Sequence, residues 1–430
     1  MRRRNGWRAR GWPLAALLVS ACTSGTSMTP VGGPDANVAS GSSSGAYIKH
    51  VIVVVQENRS YDNLFATFPH GDGATSGLTH TGASIPLAKA NLYTPADINN
   101  QHPAFLTDYD GGKNDGFDKL PVQGKADFVY EYVDPSQIRT YWWLAKHYVL
   151  ADHFFQTQSS GSFTAHQDLI RGGTGIGDDE ALIDFPTAWP WGCDAPAGTV
   201  TSLITPTAYL ADQGPFPCMS YRTLRDLLDA KSVSWKYYAP QLEQPGVPIG
   251  ADLWNAFDAV KAVRYGSEWN TNVSMPNTNI FKDISSGNLA AVSWIVPEFQ
   301  NSDHPGTAYG DAYDDGPAWV ASIVNAIGGS QYWQSSAILI LWDDWGGWYD
   351  HVPPPQLDDQ GLGFRVPFIV VSPFAKKGYV DHEQYETASV VRFIEDNWRL
   401  GRLGTADKRA ADILDAFDFA RPARPFKEVP

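Results

Sequence analysis

Two apolar runs, each closing on acids, constrain this chain most. Val51-Ile52-Val53-Val54-Val55 leads into Gln56-Glu57-Asn58, and Ala337-Ile338-Leu339-Ile340-Leu341-Trp342 leads into Asp343-Asp344. Neither run alternates with polar residues, and the first is wholly β-branched. A strand of that kind has to be covered on both faces, which is the situation of a parallel sheet between helices. In such sheets ligands gather outside the carboxyl ends of the strands. Were the two strands neighbours, Glu57, Asn58, Asp343 and Asp344 would converge there. Three carboxylates and an amide on one patch repel unless a cation holds them, so the pattern predicts a metal-dependent enzyme.

The remaining punctuation fits the same class. Strands are expected at Ile48–Gln56, Tyr148–Phe155, Val233–Tyr238, Ala290–Val296, Ser336–Asp343 and Pro367–Ser372, and helices at Tyr221–Lys231, Gly316–Ile327 and Tyr385–Leu400. Alternation of this sort implies an α/β three-layer sandwich with a mostly parallel central sheet. Two long stretches fit neither period: about 71–132, rich in Asn, Asp, Gly and His, and about 178–218, rich in Pro, Trp and Gly. They are expected to be loop insertions that wall a site.

The first residues carry a different message. Arg2, Arg3, Arg4, Arg8 and Arg10 precede a short apolar stretch, Leu14 to Val19, and small residues lead to Cys22. Residues 1–21 are expected to be a secretory signal peptide with a bacterial lipobox. Cys22 would then carry lipid and hold the protein at a membrane; simple cleavage after Ala21 is the other reading. The Ser/Gly-rich 22–46 would be a flexible tether, and 47–430 a single catalytic domain. The leader holds five arginines and no acid, so its loss would take the net charge from −15 to −20. Such a surface argues against nucleic acid as a partner. With Cys22 lipidated, Cys193 and Cys218 are left as an even pair in an oxidising compartment, and are expected to form a disulfide.

A nucleophile candidate is Ser162, in Ser160-Gly161-Ser162-Phe163-Thr164-Ala165-His166, just after the expected strand that ends in His153-Phe154-Phe155. A helix starting there would aim backbone N–H groups at an anion, and a serine hydroxyl beside a metal can attack phosphorus. A Ser-rich surface loop is the competing reading of this segment. Three of the ten histidines, His102, His304 and His351, sit on loops near expected strand ends. There they could steady phosphoryl oxygens or protonate a leaving group, or serve structure alone.

The motif Glu57-Asn58-Arg59-Ser60-Tyr61-Asp62-Asn63 resembles the opening motif of the bacterial phosphoesterase family, which includes phospholipases C and secreted acid phosphatases. Ala151-Asp152-His153-Phe154-Phe155, Val292 to Glu298 and Asp303-His304-Pro305 are similar too. The longest match runs from Leu341 through Trp342-Asp343-Asp344-Trp345-Gly346-Gly347-Trp348-Tyr349-Asp350-His351 to Pro355, and on through Gly363-Phe364-Arg365-Val366-Pro367 to Ser372-Pro373-Phe374. The resemblance implies an alkaline-phosphatase-like fold and a phosphoserine intermediate. It implies Glu57, Asn58, Ser162, Asp343 and Asp344 as metal ligands, Ser162 as nucleophile, and His304, His351 and His102 as phosphate-contacting histidines. Serine at 162 and aspartate at 344 are the acid-phosphatase choices, where many phospholipases have Thr and Glu. Thr164 replaces a usual Pro and Trp348 a usual Phe.

The expected function is therefore metal-dependent hydrolysis of a small phosphate ester or a phospholipid, outside the cytoplasm. That all-oxygen ligand set favours Ca²⁺, Mg²⁺ or Mn²⁺, with Zn²⁺ possible. The alternatives are a non-catalytic surface lipoprotein whose 16 tryptophans bind lipid or carbohydrate, and a sulfate-ester hydrolase.

Overall fold

A computed structural model describes residues 44–241, 253–306 and 315–430. The expected signal peptide, Cys22 and most of the expected tether lie outside the described residues. The last three tether residues, Ser44–Ala46, form a short 3-10 turn with Ser44 buried, so the folded body begins slightly earlier than expected.

Among the described residues the central sheet has eight strands: β1 His50–Gln56, β2 Val149–Ala151, β3 Trp235–Tyr238, β4 Val273–Ser274, β5 Val292–Ile295, β6 Ser336–Trp342, β7 Phe368–Val371 and β8 Tyr379–Asp381. Their spatial order is β4-β3-β5-β1-β6-β7-β2-β8. Only β7 runs against the others, so the sheet is mostly parallel. The two apolar runs are β1 and β6. They pair directly, with Gln56 opposite Trp342, and every residue of the two strands except His50 is buried.

Helices cover both faces. They are α1 Tyr61–Phe65, α2 His102–Tyr109, α3 Arg139–His147, α4 Ser162–Arg171, α5 Leu224–Ala230, α6 Asn279–Ser286, α7 Gly316–Gly328 and α8 Thr387–Trp398, besides shorter turns. Register fixes which face is which. Trp294 lies opposite Val53, and Val53 opposite Leu339, so these share a face. Trp342 is three residues further on and points the other way. The Trp294 indole donates to Leu169 O of α4, whereas Trp342 packs edge-on against Tyr141 of α3, 4.9 Å between centroids. Helices α4, α5 and α8 pack on one another, as do α3, α6 and α7. The result is the expected α/β three-layer arrangement.

Three elements differ from expectation for identifiable reasons. The stretch Tyr148–Phe155 is not one strand. It breaks at Asp152-His153 into β2 and a two-residue strand, Phe154–Phe155, that pairs with Tyr385–Glu386. Asp152 turns inward there and accepts the amide of Asp72. Helix α3 was hidden because its Tyr141-Trp142-Trp143 core is aromatic and reads as strand as readily as helix. The insertions also carry structure of their own. The first contains α2 and packs Ile98, Phe105, Phe117 and Tyr130 against Trp345 and Tyr349 in a satellite core. The second forms a three-stranded antiparallel sheet, Ala181–Ile183, Ser202–Thr205 and Ala208–Leu210. Cys193 and Cys218 form the expected disulfide.

Candidate active site

Because β1 and β6 are neighbours in register, the residues that follow them emerge side by side. The Asp343 amide donates to Gln56 O, and the Glu57 amide to Ser302 O in the loop after β5. Asn58 is held at φ +59°, a left-handed conformation uncommon outside glycine and often found where function over-determines the backbone. In that pose its amide donates to Asp343 Oδ1 at 2.9 Å. Asp344 is braced from three sides: Gly346 N–H donates to Oδ1 (2.7 Å), and Asn100 Nδ2 (2.8 Å) and Ser162 Oγ (3.2 Å) donate to Oδ2.

Ser162 is the first residue of α4, so it stands at the helix's positive end. The glycine before it is not there for an unusual backbone angle, since its φ is −87°. A Cβ at Gly161 would fall 2.5 Å from the Phe185 ring, so glycine lets the second insertion pack close to Ser162. Gly346 does need its freedom: φ is +64°, and a Cβ would meet Asn58 O at 2.2 Å.

One turn along α4 is a residue that the sequence reading passed over. His166 is buried, and its Nε2 lies 2.9 Å from Glu57 Oε1 and 3.7 Å from Asp343 Oδ2. A usable signal existed: positions 162 and 166 share a helix face. The attention given to loop histidines missed it.

Charge is tightly confined here. Burial, and then the neighbouring Asp343, push the Asp344 carboxyl well above the usual carboxylate range, against the pull of Asn100, the Gly346 amide and the Ser162 hydroxyl. Burial lowers His166 to about 4, which leaves its imidazole neutral. The residues present fit a cation. Ligand atoms of Glu57, His166 and Asp343 all lie within 4.8 Å of one another. Asn58 Oδ1 and Asp343 Oδ2 are buried without a hydrogen-bond donor among the described residues. Among the described residues no lysine or arginine pairs with Asp343 or Asp344. The donor set is not purely oxygen, however, because an imidazole stands among the acids.

Ser162 opens onto a cleft of about 690 Å³, lined also by Asn100, Phe185, Trp191, Trp254, Phe299 and His304. Both insertions contribute walls, residues 95–101 from the first and Phe185 and Trp191 from the second. His304 thus lines the same cleft as Ser162. Its Nδ1–H donates to Pro305 O, so Nε2 carries the lone pair, and burial lowers its pKa.

Two expected histidines are not brought to the cleft wall. His102 is buried at the start of α2, with Nδ1 3.0 Å from both the carbonyl and the hydroxyl of Ser159, and its ring is beside Tyr209. Neighbouring Asn100 and Gln101 take the wall positions. His351 belongs to a second cluster altogether. Its Nδ1 is 2.7 Å from Asp62 Oδ2, and Arg365, fully buried, donates to both oxygens of Asp350 at 2.8 and 3.1 Å. Asp350 therefore serves Arg365 rather than His351. Between the acids and His351 the chain makes a left-handed turn at Gly346-Gly347.

The model of the Phosphoesterase family matches residues 48–401. Non-hemolytic phospholipase C of Pseudomonas aeruginosa is 25% identical over 89% of this chain and 59% of its own length. Phospholipase C B of Mycobacterium tuberculosis is 25% identical over 88% of this chain and 79% of its own. The chain thus spans less than two thirds of the first of these relatives. Among solved structures, a protein in the alkaline phosphatase superfamily from Vibrio parahaemolyticus aligns over 86% of this chain and 72% of its own, at TM-score 0.38 and 10% identity.

Proposed function

The chain belongs to the Phosphoesterase family, and from that premise we propose that it hydrolyses phosphate esters through a covalent intermediate on Ser162. One observation carries this reading: the Ser162 hydroxyl donates to Asp344 at 3.2 Å beside the acids that end β1 and β6. Glu57, Asn58 and Asp343 would hold a divalent ion, with Ser162 and Asp344 at its edge. That ion supplies positive charge that favours the serine alkoxide and the crowded phosphoryl oxygens.

In the first step Ser162 Oγ bonds to phosphorus and its proton passes to Asp344, while the bond to the leaving oxygen breaks. His304, which lines the cleft, delivers a proton to that oxygen from Nε2, having taken it up with the substrate. The α4 amides and Asn100 sit where they can steady the phosphoryl group. In the second step water adds to phosphorus and gives one proton to His304 Nε2, the serine ester bond breaks, and the proton on Asp344 returns to Oγ. Inorganic phosphate, or a phosphomonoester if the substrate was a diester, leaves.

The aromatic walls suit an organic leaving group, so the substrate is a small phosphate ester or a phospholipid headgroup. Ser162 and Asp344 lean towards acid-phosphatase-like monoesters, while the relatives named phospholipase C support the diester. Action outside the cytoplasm is proposed on the leader and on the Cys193–Cys218 disulfide. The test is hydrolysis of p-nitrophenyl phosphate and p-nitrophenyl phosphorylcholine by ion-loaded protein. The wild type turns over at least one, and Ser162→Ala loses at least about 1000-fold in kcat. Undiminished turnover by Ser162→Ala contradicts the reading.

A further inference from the structure

We propose that His166 is itself a ligand of the ion, through Nε2, and that this imidazole makes the site select a borderline transition ion, zinc foremost, over calcium or magnesium. The inference rests on the reading that Glu57 and Asp343 hold a cation, and deepens it.

The placement is set by the fold. Helix α4 begins at Ser162, and one turn later the same helix face presents His166 to the acids. Two ligands of one tetrahedral zinc ion lie about 3.4 Å apart, given metal–ligand bonds near 2.1 Å. The Nε2 separations from Glu57 Oε1 and Asp343 Oδ2, 2.9 and 3.7 Å, straddle that spacing. The ring has little room to be elsewhere: it is buried and lies nearly parallel to the Trp254 indole, 12° between planes.

The competing role is a positioning one, with Nε2–H donating to Glu57 and the imidazole outside the ion's ligand shell. A single N–H can serve only one carboxylate. At 3.7 Å it does not bond Asp343, whose Oδ2 is then left buried without a donor. An ion among the three groups satisfies all of them at once. Nδ1 has no hydrogen-bond partner among the described residues, whichever nitrogen carries the proton. A donor set with imidazole in it moves preference away from the hard ions that an all-oxygen set would take.

The test uses the full chain. The protein is stripped, dialysed against equal concentrations of calcium, magnesium, manganese and zinc, and its metal content measured. The Co²⁺-substituted protein is then examined for nitrogen hyperfine coupling. The expected results are one zinc per chain and a nitrogen coupling that disappears in His166→Gln. Zinc affinity should fall more than about 100-fold in that variant, since even outer partners of a ligand are worth about 10- to 100-fold, while calcium affinity changes little. His166→Asn serves as a second variant, and the coupling in the wild type decides the matter if neither folds. A site that binds Co²⁺ without nitrogen coupling, or zinc affinity unchanged in both folded variants, overturns the ligand role and leaves the proposed function intact. A wild type that binds no divalent ion overturns the proposed function instead.

Discussion

The same two motifs build two acid–histidine clusters, and the two clusters solve opposite problems. From the first motif Glu57 and Asn58 go to the site beside Ser162, while Asp62 goes to the rear cluster, the one around Arg365. From the second, Asp343 and Asp344 go to the Ser162 site, while Asp350 and His351 join Asp62. The rear cluster carries its own cation. Arg365 forks onto Asp350, stands 3.5 Å from Asp62 Oδ1, and also donates to the carbonyls of Asp72 and Asp152. Burial works against that guanidinium, but Asp350 and Asp62 outweigh it and raise its pKa. At the cleft no guanidinium or ammonium pairs with Asp343 or Asp344 among the described residues. An internal cation gives a brace; its absence leaves room for an exchangeable one, and with it chemistry.

Four variants press on that contrast. The largest effect is on turnover: Asp343→Asn should lower kcat/KM by at least about 1000-fold, the scale of removing a group that acts as part of a catalytic unit. In a melting experiment without added ion it should be as stable as the wild type, because it relieves crowding between buried acids. Arg365→Met should do the reverse. Stranding Asp62 and Asp350 in the interior costs about 3–5 kcal/mol, read by denaturant unfolding, while added ion should stabilise the variant as much as it stabilises the wild type. Gly346→Ala comes next, with a loss of about 1–3 kcal/mol from its left-handed backbone and a weaker ion site through Asn58. If it melts like the wild type, the turn between the clusters is less constrained than its geometry says.

The smallest effect is a pH slope. Burial disfavours the charged form of His351, but its hydrogen bond to Asp62 and the charges of Asp62 and Asp350 outweigh burial and raise its pKa above 6.5. A raised histidine stabilises the fold fully below its unfolded pKa, and that contribution fades as pH rises through the folded value. Melting temperatures measured upward from pH 6 should therefore fall more steeply for the wild type than for His351→Gln. Parallel slopes would show that the rear cluster draws nothing from this proton.

The sheet was legible because β1 and β6 are apolar on both faces, which leaves no other way to cover them. Convergence of Glu57 with Asp343 followed from the same fact. His351 stands a few residues after Asp344, and the left-handed turn at Gly346 and Gly347 lies between them. Arg365 gave no sign in sequence that it would be the rear cluster's cation, since its partners come from three distant segments. His166 was readable from its four-residue spacing to Ser162 on the helix expected to start there.

The contrast between the clusters is tested most directly by ion-binding calorimetry on three proteins, wild type, Asp343→Asn and His351→Gln. One ion should bind the wild type and His351→Gln with similar affinity, and none should bind Asp343→Asn. Retention of the ion by Asp343→Asn, or its loss with His351→Gln, would place the ion at the rear cluster and contradict the account.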